Sequence, residues 1–413
     1  NASKFNSDVS NWNVSRVTSM RSMFNRATKF NGDVSTWDVS AVDDMRWMFH
    51  NAASYDNSVC AWGPKLSSAS VLVESMFVGT GCPIQEDPDL GAAIRGPFCY
   101  GCLVHTVLHN GDALRLAVDV FLHNPTPSST AAQLYGYPMG TWDVSRVQDM
   151  SRLFSASRNQ RMQGFNEDIS LWDVSNVTTM ERMFYGASSF SGDISLWNVS
   201  SVRSMKTMFR AASSFNSSLA SWDVSHVEDM YGTFSRTFSF NQDLSLWDVS
   251  AVRDMEFMFN NATKFNSDVS NWNVSGVTSM STMFQLASSF TGDLSLWDVS
   301  SVTDMSYMFS HALVFDSDVS DWNVSRVTSM TAMFAEALLF DSDISQWNVS
   351  RVTSMRYMFS DATRFNGNVS TWDVSAVDDM RWMFENATSY NKSICVWGPK
   401  LSSASVLVES MFV

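Results

Sequence analysis

Cys99, Cys102, His105 and His109 form a C-x2-C-x2-H-x3-H run, the densest group of metal-capable side chains in the sequence. Sulfur and imidazole donors this close could hold zinc, but the spacing is tighter than in common zinc modules and an oxidising compartment would remove the thiolates. Disulfides are the competing chemistry. A Cys60–Cys82 bridge would close a cap, Cys99 and Cys102 could bridge each other, and Cys395 would pair outside the sequence. Four cysteines allow three pairings, and sequence alone leaves the choice open.

Carboxylates recur in a second pattern. Asp8, Asp33, Asp168, Asp193, Asp243, Asp268, Asp293, Asp318 and Asp343 share one slot, which Ser218 and Asn368 also fill. Stacked carboxylates could take calcium. Asp, Asn and Ser share a short acceptor rather than a charge, so the expected job is to hold a backbone N–H at a turn. No metal or other cofactor is therefore expected. Catalysis has little to build on. His226 and His311 sit in variable slots, and the paired acids Asp43 with Asp44 and Asp378 with Asp379 lie where an exposed turn is expected. No nucleophile elbow and no phosphate-binding Gly-rich loop occurs. The expectation is that the protein is not an enzyme.

These residues are positioned by a repeat. Trp172, Trp197, Trp222, Trp247, Trp272, Trp297, Trp322, Trp347, Trp372 and Trp397 follow one another at steps of 25, and Trp12, Trp37 and Trp62 keep the same step upstream. In the copy 290–314, Phe290, Leu294, Trp297, Val299, Val302, Met305, Met308, Phe309 and Ala312 occupy slots that stay apolar or small. Met305, Met308, Phe309 and Ala312 lie at i, i+3, i+4 and i+7, which predicts a helical segment of about two turns. The stretch 293–297 predicts a short strand. One such unit cannot bury its own apolar face, and stacking the copies does so. Strands roughly 4.8 Å apart would make eleven units a rod on the order of 50 Å long.

The repeat V-T-x-M-x-x-M-F-x-x-A-x-x-F-N-x-D-[VIL]-S-x-W-[DN]-V-S resembles the BspA-like, DUF285 type of leucine-rich-repeat surface protein, over about 350 of the 413 residues. The resemblance implies an α/β solenoid, a leucine-rich-repeat-like stack of short strands and short helices. It also implies a cell-surface or secreted setting and no enzyme activity.

Within that frame the chain divides into two tandem arrays with caps. Residues 1–82 read as the end of a first array, its C-terminal cap opening at Cys60-Ala61-Trp62-Gly63-Pro64. Residues 83–108, with Pro83, Pro88, Pro97, Gly91 and Gly96, read as a linker. Residues 109–413 read as a second array. Its N-terminal cap helix has Leu114, Ala117, Val118 and Phe121 on one face, residues 124–140 form a loop, and a five-residue insertion falls near residues 157–164. Residues 365–413 repeat residues 30–78 at an offset of 335, and Cys395 opens a second closing cap. Both ends of the sequence fall inside a repeat, so it reads as a segment of a longer chain of such arrays.

The net charge of −15 argues against nucleic acid, whose binding needs a basic stripe. No apolar run reaches the length of a membrane span. Asn1, Asn13, Asn176, Asn198, Asn216, Asn261, Asn273, Asn323, Asn348, Asn368, Asn386 and Asn391 begin glycosylation sequons. Asn216 and Asn391 stand out because a turn does not clearly demand Asn there. Two variable slots read as outward-facing contact sites. One, assigned to the exposed sheet face, holds Leu171, Leu196, Leu246 and Leu296; the other holds Trp47, Phe257, Tyr307, Tyr357 and Trp382. The expected function is a structural extracellular protein that self-associates into a filament, matrix or coat. The alternative is an adhesin-type module that recognises a glycan or a surface protein.

Overall fold

The computed structural model describes residues 3–66, 71–91, 98–99, 108–127, 129–401 and 406–412. The chain splits into two compact units, residues 1–107 with 117–143, and residues 108–116 with 144–413.

Within each unit the repeats stack in parallel. Asp304 pairs with Ser279 in the preceding repeat and Ser329 in the following one, and this pairing runs unbroken from Asp149 to Leu407. A shorter series joins Ser19, Asp44 and Leu72 in the first unit. Alternate residues supply the bonds. The N–H groups of Met305, Tyr307, Phe309 and His311 donate to the carbonyls of Ser329, Thr331, Met333 and Ala335 at 3.1, 2.8, 2.9 and 2.7 Å.

The helical segment expected at Met305–Ala312 is not there, and the ladder explains why. A helix would spend those N–H groups internally; here every second one goes to the neighbouring repeat. Met308 N–H donates to Met305 O (3.2 Å) and Ala312 N–H to Phe309 O (3.0 Å), closing two successive turns. The third residue of each, Tyr307 and His311, has φ 59°. Positive φ at that position is the signature of a type II turn. The strand expected at 293–297 is also displaced: this stretch is a turn, and the parallel pairing lies at 303–312.

The core is a set of ladders. Phe309 stacks on Phe315 at 3.8 Å and lies 5.7 Å from both Phe284 and Phe334, while Trp322 and Trp347 stack at 6.4 Å. Met305, Met308, Val299 and Val302 are buried around them. Each aromatic pair adds about 0.5–1.5 kcal/mol beyond its burial, so the gain accumulates with repeat number.

Residues outside the repeats close the stacks. In the first unit three described residues of the stretch that composition marks as a linker, Leu90, Phe98 and Cys99, are buried in the core. Cys82 is bonded to Cys99 across a separation of 17 residues, which replaces both the Cys60–Cys82 and the Cys99–Cys102 bridges expected above. Cys60 is disulfide-bonded as well. Helix α1 (Gly111–His123) starts where Asn110 Oδ1 accepts from Ala113 N–H (2.9 Å), and buries Leu114, Ala117, Val118 and Phe121. Gly111 is required because a Cβ would lie 2.1 Å from Asp149 O. The loop expected at 124–140 contains helix α2 (Thr130–Tyr135), capped by Ser129 Oγ accepting from Ala132 N–H. The five-residue insertion is taken up by a 3₁₀ turn, Gln160–Gly164, that seats Met162 in the core.

Candidate functional site

Two surfaces follow from the repeat geometry, a turn edge and a ladder face. The turn edge is built by the Asp slot and by the residue after Trp. Asp293 Oδ1 accepts from Ser295 N–H (2.9 Å), and Asp298 Oδ1 from Ser300 N–H (3.0 Å). The same bond recurs at Asp8, Asp33, Asp168, Asp193, Asp243, Asp268, Asp318 and Asp343, and Asn368 makes it to Ser370. The backbone N–H of the serine two residues on holds the carboxyls of Asp193, Asp243, Asp268, Asp293 and Asp318 below their ordinary range. The series is thus a row of turn-forming acceptors.

Leu171, Leu196, Leu246 and Leu296 project from the second of the two residues in each of these turns, at 62, 86, 81 and 76 % exposure. They lie on the turn edge and not, as expected, on a sheet face, because the parallel pairing lies elsewhere in the repeat.

The ladder face carries the aromatic slot. Trp47, Phe257, Tyr307, Tyr357 and Trp382 all have φ between 56° and 59°. The left-handed backbone turns these side chains out from the stack. Tyr357 and Trp382 stack at 4.9 Å, with the Arg356 guanidinium 4.9 Å from the first ring and 4.8 Å from the second. Arg381 sits 5.4 Å from the same indole and is clamped to Asp379 through Nε (2.9 Å) and Nη2 (2.7 Å). In the first unit Arg21 lies 4.6 Å from Trp47, and Arg46 is clamped to Asp44 in the same way. Arg21 and Arg356 also help to lower the pKa of Asp44 and Asp379, the carboxylates that Arg46 and Arg381 clamp. Elsewhere on this face Asp254 and Glu256 have raised pKa values, first from burial and then from neighbouring acids.

The metal candidates do not assemble. Cys99 is spent in its disulfide and cannot offer a thiolate, so the zinc set fails; Cys102 and His105 lie outside the described residues, and His109 is exposed. Asp316, Asp318, Asp341 and Asp343 line an open depression with Ser317, Ser320 and Ser342. Their oxygens already serve the fold: Asp318 accepts from Ser320 N–H and Ser342 Oγ–H, and Asp341 from Asn366 N–H. Among the described residues no group of three His, Cys, Asp or Glu side chains could hold a metal ion.

One arrangement of hydrolase-type residues was not legible beforehand. Ser310 Oγ lies 2.9 Å from His311 Nδ1, and His311 Nε2 lies 3.0 Å from Glu336 Oε1. Ser310 is 2 % exposed, which leaves no approach for an acyl group. His226 Nδ1 lies 3.3 Å from Ser225 Oγ.

The sequons divide by what the side-chain amide does. Asn13, Asn198, Asn273 and Asn348 accept from both the N–H and the Oγ–H of the serine two residues on. Asn323 accepts from the N–H alone. Asn176 Nδ2 donates to Ser145 O and Asn386 Nδ2 to Asp361 Oδ1, so those amides are engaged. Asn261 occupies a left-handed turn position. Asn216 belongs to an inter-repeat ladder: its Oδ1 accepts from Asn241 N–H, Asn241 Oδ1 from Asn266 N–H, and Asn366 Oδ1 from Asn391 N–H. Geometry thus does demand an acceptor at Asn216. Asn1 lies outside the described residues.

Comparison with known proteins adds a family. A family model described as a Mycoplasma protein of unknown function, DUF285, matches residues 1–83, 128–246, 233–338 and 314–413. No curated protein matches the sequence. Among solved structures, a leucine rich cell surface protein from Faecalibacterium prausnitzii A2-165 is 12 % identical over 59 % of this chain and 79 % of its own, at a TM-score of 0.24. A TLR13–ssRNA13 complex is matched at 8 % identity over 58 % of this chain and 53 % of that one (TM-score 0.17), and a T. pallidum leucine rich repeat protein at 10 % over 57 % and 81 % (TM-score 0.18). TM-scores this low carry no argument; the fold rests on the ladders described above.

Proposed function

The chain belongs to the DUF285 family, and from that premise we propose that it is an extracellular structural protein whose stacked repeats form a stiff support and associate laterally through the turn edge. The observation that carries this reading is the leucine row. Leu196, Leu246 and Leu296 recur every second repeat and are more than three-quarters exposed. Successive rungs lie roughly 4.8 Å apart, so these side chains fall about 10 Å apart along one edge. Regularly spaced apolar side chains on a rigid edge match a second copy of themselves in register, as an isologous contact requires. The backbone ladder supports the same reading, since each mid-array repeat is tied to the next by five backbone hydrogen bonds and cannot bend freely. Three disulfide-bonded cysteines in the first unit, Cys60, Cys82 and Cys99, fit an oxidising setting. No described helix is long and apolar enough to cross a membrane.

Electron microscopy of the concentrated protein tests this reading. Ordered lateral arrays with the turn edges in contact support it, and dispersed single particles at every concentration count against it.

A second reading, an adhesin-type module, is favoured by one observation. Arg356 with Tyr357 and Trp382, and Arg21 with Trp47, place a guanidinium against aromatic rings at equivalent positions of the two arrays. Such surfaces suit a sugar ring or an acidic side chain. Binding of glycans or surface proteins that is lost in both Trp47→Ala and Trp382→Ala would support it.

A further inference from the structure

In the mid-array repeats the slot after tryptophan holds one of two residues that the turn does not distinguish. Asp223 Oδ1 accepts from Ser225 N–H (3.1 Å) and from Ser225 Oγ–H (2.6 Å). Asn198 Oδ1 accepts from Ser200 N–H (3.2 Å) and Oγ–H (2.8 Å), and Asn273 Oδ1 from Ser275 N–H (3.2 Å) and Oγ–H (2.7 Å). The turn asks for one short acceptor, and either residue supplies it.

What asparagine adds is Nδ2, an atom the fold leaves unused here. Asn198 and Asn273 are exposed, and among the described residues neither Nδ2 has an acceptor. Asn176 Nδ2 instead donates to Ser145 O (2.8 Å) and Asn386 Nδ2 to Asp361 Oδ1 (3.0 Å). A substituent on Nδ2 of Asn198 or Asn273 would leave both bonds to serine in place, whereas on Asn176 or Asn386 it would crowd a bond that Nδ2 already makes.

The two free amides lie among the exposed leucines of the turn edge. Asn198 follows Leu196 by two residues, across the buried Trp197. Trp272 stacks between Trp247 and Trp297, so Asn273 falls one rung from Leu246 on one side and one rung from Leu296 on the other. Leu171, Leu246 and Leu296 are themselves followed by Asp173, Asp248 and Asp298, which offer no such nitrogen.

We infer that Asn198 and Asn273 carry N-linked oligosaccharides, and that these sugars set whether the turn edge is open to a second copy; the latter half rests on the lateral contact proposed above. Asn198-Val199-Ser200 and Asn273-Val274-Ser275 are the acceptor sequons. The donor is an oligosaccharide carried on a polyprenyl diphosphate. Nδ2 bonds to the anomeric carbon, the bond from that carbon to the diphosphate oxygen breaks, the polyprenyl diphosphate leaves, and Nδ2 gives up one proton. Transfer acts on the chain before the repeats stack, and the turn then accepts the product without losing a hydrogen bond. A bulky, hydrated sugar on Asn198 stands beside Leu196, and one on Asn273 stands between Leu246 and Leu296. Either holds a second copy off the leucine row. The unmodified chain has the row bare, and it is the form in which lateral association is tested.

The experiment uses the full chain secreted from a eukaryotic host. Peptide N-glycosidase in heavy-oxygen water converts each glycosylated asparagine to labelled aspartate, which mass spectrometry reads. Label is expected at Asn198 and Asn273. In sedimentation velocity the secreted chain should stay monomeric. The fully deglycosylated chain should assemble, and so should secreted Asn198→Asp/Asn273→Asp, which keeps the acceptor as Asp223 does. Unlabelled Asn198 and Asn273 overturn the inference. Assembly of the glycosylated chain, or a double variant that stays monomeric while the deglycosylated chain assembles, overturns the control of the edge. If the deglycosylated chain is also monomeric, the lateral contact itself fails and the control falls with it, while labelled sites still establish the attachment.

Discussion

The indole of Trp297 reaches back across the repeat boundary, and its Nε1–H donates to the carbonyl of Val269, 28 residues earlier, at 3.0 Å. The bond recurs from Trp272 to Leu244 O, Trp322 to Leu294 O and Trp347 to Val319 O. Each of these four tryptophans therefore fills volume in the stack and adds a second hydrogen bond to a carbonyl that already accepts from a backbone N–H.

Trp272→Ala should cost about 3–5 kcal/mol through the cavity alone. Trp272→Phe keeps most of the volume but removes the indole's bond to Leu244 O, which still accepts from Trp247 N–H, and should cost about 0.5–1.5 kcal/mol. Urea unfolding followed by circular dichroism ranks the two. Equal stability of Trp272→Phe and wild type would show that the hydrogen bond is immaterial.

The left-handed turn positions predict a residue-specific cost. Gly232 has φ 58°, and a Cβ there would lie 3.1 Å from Thr207 Cγ2. Gly232→Val adds a β-branched side chain to that backbone and should cost about 2 kcal/mol or more, whereas Ser22→Gly, at φ 55°, should stabilise by about 1 kcal/mol. Thermal melts of the two variants, moving in opposite directions, are the check.

Much of the stack was legible in the sequence, and the parts that were not have a common cause. The 25-residue register and the core slots Trp297, Met305, Met308 and Phe309 follow from recurrence alone, because a stacked repeat must place like on like. Met305, Met308, Phe309 and Ala312 imitate a helical face because two four-residue turns in series also space inward residues by three and four. The distinguishing signal was present in the outward slots. Gly186, Gly232, Asn51, Asn261 and Asn386 fall at the third turn position, where residues tolerant of positive φ collect. The Cys82–Cys99 bridge was not readable, since cysteine pairing depends on how the chain between the two folds back on the core. The outward exposure of Leu196 and Leu246 followed from their variability, but their place on the turn edge depended on where the ladder runs.

Acid should loosen the stack, with a known sign. Asp193, Asp243, Asp268, Asp293 and Asp318 have depressed pKa values in the folded state. Their contribution is complete above the unfolded value, about 4, and is lost as pH falls through the lower folded values. Asp254 and Glu256 are raised and act oppositely: their contribution is present below the unfolded value and is lost as pH rises through the folded one. Replacing the five turn aspartates by Asn should flatten the fall in Tm below pH 4, while Glu256→Gln should raise Tm at pH 7. Calorimetry across pH 3–7 reads both.

Loss of the Cys82–Cys99 bridge should destabilise the first unit by about 2–4 kcal/mol and leave the second array's melting unchanged. Hydrogen exchange on Cys82→Ser is the measurement, with faster exchange expected across residues 71–91.

The most direct test of the lateral-association account is sedimentation velocity on the wild-type chain and on Leu196→Asp/Leu246→Asp/Leu296→Asp, over a concentration series. The account predicts that wild type sediments as growing assemblies, while the triple variant stays monomeric with an unchanged thermal melt, because all three side chains lie outside the core. A wild-type chain that stays monomeric throughout, or a triple variant that assembles as wild type does, would contradict it.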